Sequence, residues 1–268
     1  MTQAARCCQS IESGRTSVDA GRHTNRNSQR LAVAASTNFP LLGPAHLAIL
    51  AAVPLLAVIL AALQRRLPPG HKGLRISLAV ILLSDTILWY VDLAFHGQLQ
   101  FPNNLPLELC DATLFLMIIE LFTLSPAVFD LAYYGALAGS SMALLTPNLW
   151  EPFPSLSTVQ FFVAHGFVVA SALYLVWSKQ ARPRAGSVAK AMLALNIFAA
   201  FVGAFDFIFK VDYMYLRAKP GNVSLLTYLG PWPWYIAASD CVAFGLFLLL
   251  YLPFRQFGAR SGNGHSEH

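Results

Sequence analysis

Long, largely apolar runs dominate the chain, and a helix needs about 20 such residues to cross a bilayer core of roughly 30 Å. Seven stretches qualify: 41–63, 76–96, 105–124, 128–145, 157–178, 191–209 and 232–254. Breakers such as Arg65-Arg66-Leu67-Pro68-Pro69-Gly70 and Thr146-Pro147-Asn148 separate them, as interhelical loops require. The pattern predicts an all-α fold, a seven-transmembrane-helix bundle over residues 41–254. The fourth span is short and rich in small residues. Its Gly135-Ala-Leu-Ala-Gly139 is a small-xxx-small pattern that lets a neighbouring helix approach closely.

Residues 1–40 form an Arg/Ser-rich N-terminal tail with the pair Cys7-Cys8 and no continuous apolar stretch of the secretory-signal kind. The tail is expected to be disordered, and 255–268 form a short polar C-terminal tail. Composition agrees with the pattern. The chain is 56% apolar and 12% charged, with a mean hydropathy of +0.54, against about 45–50% and 25% in soluble domains. Disorder of the whole chain, a disulfide scaffold and a nucleic-acid module are excluded. The partners expected are membrane lipids, the location is an integral multi-pass one (the plasma membrane in a bacterium), and no cofactor is called for.

Positive charge orients the bundle, because Lys and Arg stay in the cytoplasm. Arg65, Arg66, Lys72 and Arg75 flank the first loop, and Lys179, Arg182, Arg184 and Lys190 the fifth. Loops 97–104 and 146–156 carry no Lys or Arg. The alternation puts the N-terminus outside and the C-terminus inside, although Arg22, Arg26 and Arg30 in the tail and Lys210, Arg217 and Lys219 in the sixth loop run against it.

The spans hold Asp85, Asp92, Glu108, Asp111, Glu120, Asp206 and Asp240, yet no Lys or Arg. An intramembrane ionisable residue costs at least about 2.5–3.5 kcal/mol and marks a functional site by default. His46, His96 and His165 are the histidines available to these acids. Counted along the helices, His46, Asp92, His96, Cys110, Asp111, His165 and Asp240 fall at similar depth in the outer half of the bilayer. Asp85, Trp89, Asp92 and His96 recur at i, i+4, i+7 and i+11 and share one stripe. Glu108 and Asp111 are neighbours on the third span; Asp206 reads as structural beside Lys210, and Glu120 and Asp130 as acids near helix ends in reach of water. The cluster can serve as helix-to-helix hydrogen bonding, as a Cys110–His165 thiol site, as a zinc site of His46, His96, His165 and an Asp in a metal-dependent lipid hydrolase, or as a carboxylate relay in a transporter or proton-coupled carrier.

Three segments carry a resemblance. Leu105-Pro-Leu-Glu-Leu-Cys-Asp111, Ala164-His-Gly166 and Lys219-Pro-Gly-Asn-Val-Ser-Leu-Leu-Thr-Tyr-Leu-Gly-Pro-Trp-Pro-Trp-Tyr235 resemble the YwaF-type, TMEM164-like family of polytopic integral membrane proteins, in order from about His46 to Pro253. That family is similar to a eukaryotic polytopic acyltransferase that works through a cysteine on ether lysophospholipids. It is more distantly similar to Thr/His membrane hydrolases of fatty-acid esters. The resemblance implies a thiol-dependent lipid acyltransferase or acyl hydrolase with Cys110 as nucleophile, His165 as its base and no metal; the polar residues that share their depth or helix face, Asp85, Asp92, His96, Glu108, Asp111, Asp240 and His46, are read as a supporting cluster. One departure stands out: Glu108 occupies a place where the family usually has histidine.

Overall fold

The computed structural model describes residues 39–147, 149, 153–220 and 225–255. Nearly all of the two tails, with Cys7 and Cys8, therefore lies outside the described residues, as does Asn148. The described residues contain helices and no strand. In chain order they are α1 Pro44–Gln64, α2 Gly73–Phe95, α3 Leu109–Thr123, α4 Pro126–Leu145, α5 Leu156–Trp177, α6 Ser187–Phe209 and α7 Trp234–Tyr251. A single turn, Leu225–Tyr228, precedes α7.

Local chemistry accounts for the boundaries. Pro44 and Pro126 open α1 and α4 at a position where the missing N–H is no loss. Ser155 and Thr158 form a reciprocal capping box at the start of α5. Gly230 (φ +90°) turns the chain before α7, which starts where the Pro-Trp-Pro-Trp run ends.

Six of these helices are long and apolar enough to cross a membrane, and α3 is the exception. With 15 residues it reaches only about 22 Å, short of a bilayer core of roughly 30 Å. The apolar run 105–124 overstates it because its first residues are not helical. Glu108 is the extended N-cap (ψ 149°), and its carboxylate and that of Asp111 cap each other's backbone N–H. At the other end Leu124 turns left-handed (φ 50°) ahead of Pro126.

The seven rods nonetheless alternate between two ends of one bundle. At one end Arg65 Nη2–H donates to Trp177 O (2.7 Å), Arg75 Nη1–H to Leu121 O (2.9 Å), and Arg184 grips Asp130. At the other, His46 Nε2–H donates to Leu144 O (2.8 Å) and Phe101 packs edge-on against Phe205 and Phe209. We call these the Arg75 end and the His46 end. At the centre lies α5, which packs on α1, α2, α3 and α4, whereas α6 and α7 touch mainly α4 and each other.

Candidate functional site

The first turn of α3 is the most tightly fastened part of the His46 end. Glu108 Oε2 accepts the Met214 N–H at 2.9 Å, and Asp206 Oδ2 accepts the Tyr213 N–H at 2.8 Å. Tyr213, fully buried, donates its hydroxyl to Pro102 O and accepts the Leu105 N–H. The segment after α6 therefore straps the entry of α3, and Met214 and Tyr215 take left-handed φ of 53° and 56° to do so. The start of α7 holds the strap from the other side, with Tyr235 O–H donating to Tyr215 O and Trp232 Nε1–H to Leu216 O. The aromatic run Val211-Asp-Tyr-Met-Tyr215 just past an apolar helix was the sequence signal for this element.

Cys110 sits in that first turn, half-buried. His165 is buried on α5, which packs against α3. A carbonyl oxygen only accepts, so His165 Nδ1 carries the proton it donates to Phe161 O at 2.8 Å. The neutral ring then keeps its lone pair on Nε2, which is buried and has no hydrogen-bond partner. No hydrogen bond joins Cys110 to His165 among the described residues.

The other polar residues that share this depth do not converge. His46 accepts Leu42 N–H and donates to Leu144 O, so both ring nitrogens are used in tying α1 to α4. His96 is exposed and donates Nδ1–H to Asp92 O (2.9 Å), with Asp92 Oδ1 at 3.3 Å. Asp240 accepts from Asn196 across α6 and α7 (3.0 Å), and Asp85 is half-buried on α2. Among the described residues no three His, Cys, Asp or Glu side chains form a metal-holding group. The zinc arrangement of His46, His96 and His165 is thereby corrected: the three rings serve three separate hydrogen-bonding tasks.

Two acids at the Arg75 end are also corrected, since neither reaches water. Asp130 is buried and accepts the Arg184 backbone N–H (3.0 Å) and Nε–H (2.8 Å), with Nη2 at 2.7 Å. Glu120 is fully buried, beside the Ser125 backbone N–H and within the field of the Arg75 charge. Arg75 itself is buried inside α2, so the bundle interior does hold one cation. Of the cysteines in helices, Cys241 is exposed on the outer surface of α7.

Beside the Cys110 turn lies an apolar cavity of about 670 Å³ between α3, α4, α6 and α7, with Leu109, Ala112 and Thr113 at its head. A shallower groove of about 480 Å³ runs between α1 and α5 past Gly166, the neighbour of His165.

The TMEM164 family model matches residues 41–251. The chain belongs to the TMEM164 family. The match spans all seven helices and both segments that bear Cys110 and His165. An uncharacterized protein of Treponema pallidum (strain Nichols) is 26% identical over 219 residues, covering 81% of this chain and 90% of its own length. No solved structure matches. Family membership and six membrane-length apolar helices make this a multi-pass integral membrane protein.

Proposed function

We propose that this TMEM164-family protein is a thiol-dependent lipid acyltransferase or acyl hydrolase, with Cys110 as nucleophile and His165 as base. The observation that carries the reading is the free, buried lone pair on His165 Nε2, on the helix packed against α3, which bears Cys110 in its first turn. His46, by contrast, has both ring nitrogens engaged, by Leu42 N–H and Leu144 O. In the reaction, His165 Nε2 takes the Cys110 Sγ proton, and the thiolate attacks an ester carbonyl carbon. The C–O bond breaks, the leaving alkoxide takes the proton from His165, and an acyl-thioester remains. A lysolipid hydroxyl or water, deprotonated in turn by His165, attacks the thioester and restores the thiol. Glu108 fixes the turn rather than acting as the base, because its carboxylate is engaged by Met214 N–H and the α3 cap.

In this reading the Arg75 end, with its basic residues, faces the cytoplasm and the Cys110 turn faces the outer side. With Cys7, Cys8, Cys110 and Cys241 all replaced by Ser, a cysteine at exposed Leu99 should react with an impermeant maleimide on intact cells, and one at exposed Arg182 only after permeabilisation.

The chemistry is tested with the full-length protein in detergent and a phospholipid carrying a clickable acyl chain. Label should appear on Cys110, be released by neutral hydroxylamine, persist in Cys241→Ser and in chelator, and vanish in Cys110→Ser. Turnover that survives Cys110→Ser overturns the reading.

A further inference from the structure

The 670 Å³ cavity has a shape and a lining that select its occupant. Along α3 the lining runs from Leu109 to Ile119, a rise of about 15 Å at 1.5 Å per residue. That is half of the roughly 30 Å hydrocarbon core, the depth of one leaflet. Toward the Arg75 end the lining includes Tyr134 and Phe247, whose rings stack with centroids 4.7 Å apart.

Polar ligands find no handle inside. The lining hydroxyls are already engaged: Thr113 donates to Leu109 O (2.8 Å), Ser239 to Tyr235 O (2.7 Å), and Tyr134 pairs with Ser187 Oγ (2.7 Å). A methylene takes about the ~30 Å³ of one liquid water molecule, so the cavity holds on the order of twenty methylenes. That is one long hydrocarbon chain, and not two.

We propose that the cavity holds a single acyl chain of a lipid drawn from the leaflet at the His46 end, and that Tyr134 and Phe247 set the chain length accepted. The ester end then lies at Leu109, in the same helical turn as Cys110, and the methyl end meets the stacked rings. The catalytic meaning of the site rests on the thiol reading above, but binding of the chain does not.

Full-length protein in phosphatidylcholine nanodiscs, doped with phosphatidylcholine bearing a terminal diazirine on one acyl chain, tests the site. After irradiation, long-chain probes should label Tyr134 or Phe247, and short-chain probes Leu109, Ala112 or Ser239 nearer the head of the slot. A Cβ on Gly139 meets nothing within 4 Å, so Gly139→Leu should fold and fill the slot. It should reduce floor labelling roughly tenfold or more, the scale on which apolar pockets reject a misfit. Ala243→Phe should do the same from the opposite wall and carries the test if Gly139→Leu misfolds. Phe247→Ala should shift the preference toward longer chains. Cys110→Ser should label like the wild type, so failure of the thiol chemistry and failure of this inference read out separately. Labelling of lipid-facing Leu55 and Ile87 as strong as that of the floor, unchanged in a folded filling variant, overturns the proposal.

Discussion

Two parts of the bundle are built by opposite rules. About two thirds of the α5 span (67%) is buried inside the protein, against 11% for α6 and for α7. Wedged among four neighbours, α5 holds Gln160, His165 and Ser171 in the interior with polar atoms that have no partner. Against lipid, α6 and α7 show mostly apolar side chains, such as Leu193, Ile197 and Phe244, and stand far enough from α3 to leave the cavity. The difference separates two tasks. Chemistry needs a ring held in one orientation, which dense packing supplies. A hydrocarbon guest needs a wall that can shift, which a thinly packed helix pair supplies.

The sharpest way to break this comparison is to exchange the roles of two buried histidines. Removing His165 takes away a group with an unpaired nitrogen, so His165→Ala should lower activity by about 10²–10⁴-fold, as for a lost general base, with a smaller loss of melting temperature than His46→Ala, since both leave a cavity but His165 strands no polar partner on another helix. Removing His46 leaves Leu42 N–H and Leu144 O without a partner, so His46→Ala should cost about 1–3 kcal/mol per stranded group and show in thermal unfolding. A thermal profile of His165→Ala that matches His46→Ala would make both structural.

Asp130 tests where the dense part is fastened to α6. Asp130→Ala removes the acceptor of three Arg184 contacts, and because the Arg184 side chain is partly exposed the loss should be roughly 2–3 kcal/mol. Asp92→Asn, whose pair with His96 lies at the surface, should cost less than about 1 kcal/mol. Equal losses in chemical denaturation would show that the Asp130 site relaxes to admit water.

That ordering reverses the one the sequence suggests, and the reversal has a physical cause. Residue spacing gives depth, at 1.5 Å per residue, and neighbours on one helix. Hence six of the seven spans and the Asp92–His96 pair one turn apart were legible, whereas the third apolar run folds into a helix too short to cross. Spacing does not give the rotation of a helix about its axis or the identity of its neighbour. Asp130 and Arg184 are 54 residues apart, and His46, His96 and His165 share a depth while facing different partners. Arg75 lay just outside an apolar run and was read as a loop charge, yet α2 begins at Gly73 and carries it inside. The site is legible to the extent that Cys110 and His165 are singled out; their packing partners are not.

The two glycines of α4 place the boundary between the parts on a single helix. The pattern Gly135-x-x-x-Gly139 predicts one close-packed face, but the π-helical stretch Gly135–Ser140 breaks the α-helical register. A Cβ on Gly135 would stand 2.4 Å from Thr113 Oγ1, whereas one on Gly139 meets open space. Gly135→Leu should therefore destabilise by about 1–3 kcal/mol through overpacking against α3, and Gly139→Leu should stay within about 0.5 kcal/mol. A similar loss in both would place Gly139 in a contact and close the head of the cavity.

The smallest effect is expected at the entry of α7, where the thinly packed part meets the strap. Trp232 and Trp234 are both exposed, at the level where indole rings favour the headgroup region. Their contacts differ: Trp232 Nε1–H donates to Leu216 O at 3.1 Å, and Trp234 opens the helix as its first residue. Trp234→Leu should thus be near neutral in stability, and Trp232→Leu should lose one exposed hydrogen bond, about 0.5–1 kcal/mol. Because the strap covers the entry of α3 through Glu108 and Met214, loosening it at Leu216 should act on turnover before it acts on folding. The measurement is acyl release by Trp232→Leu beside its melting temperature. A changed rate at an unchanged melting temperature makes the strap a cover over the Cys110 turn, and an unchanged rate leaves Trp232 as an interfacial anchor.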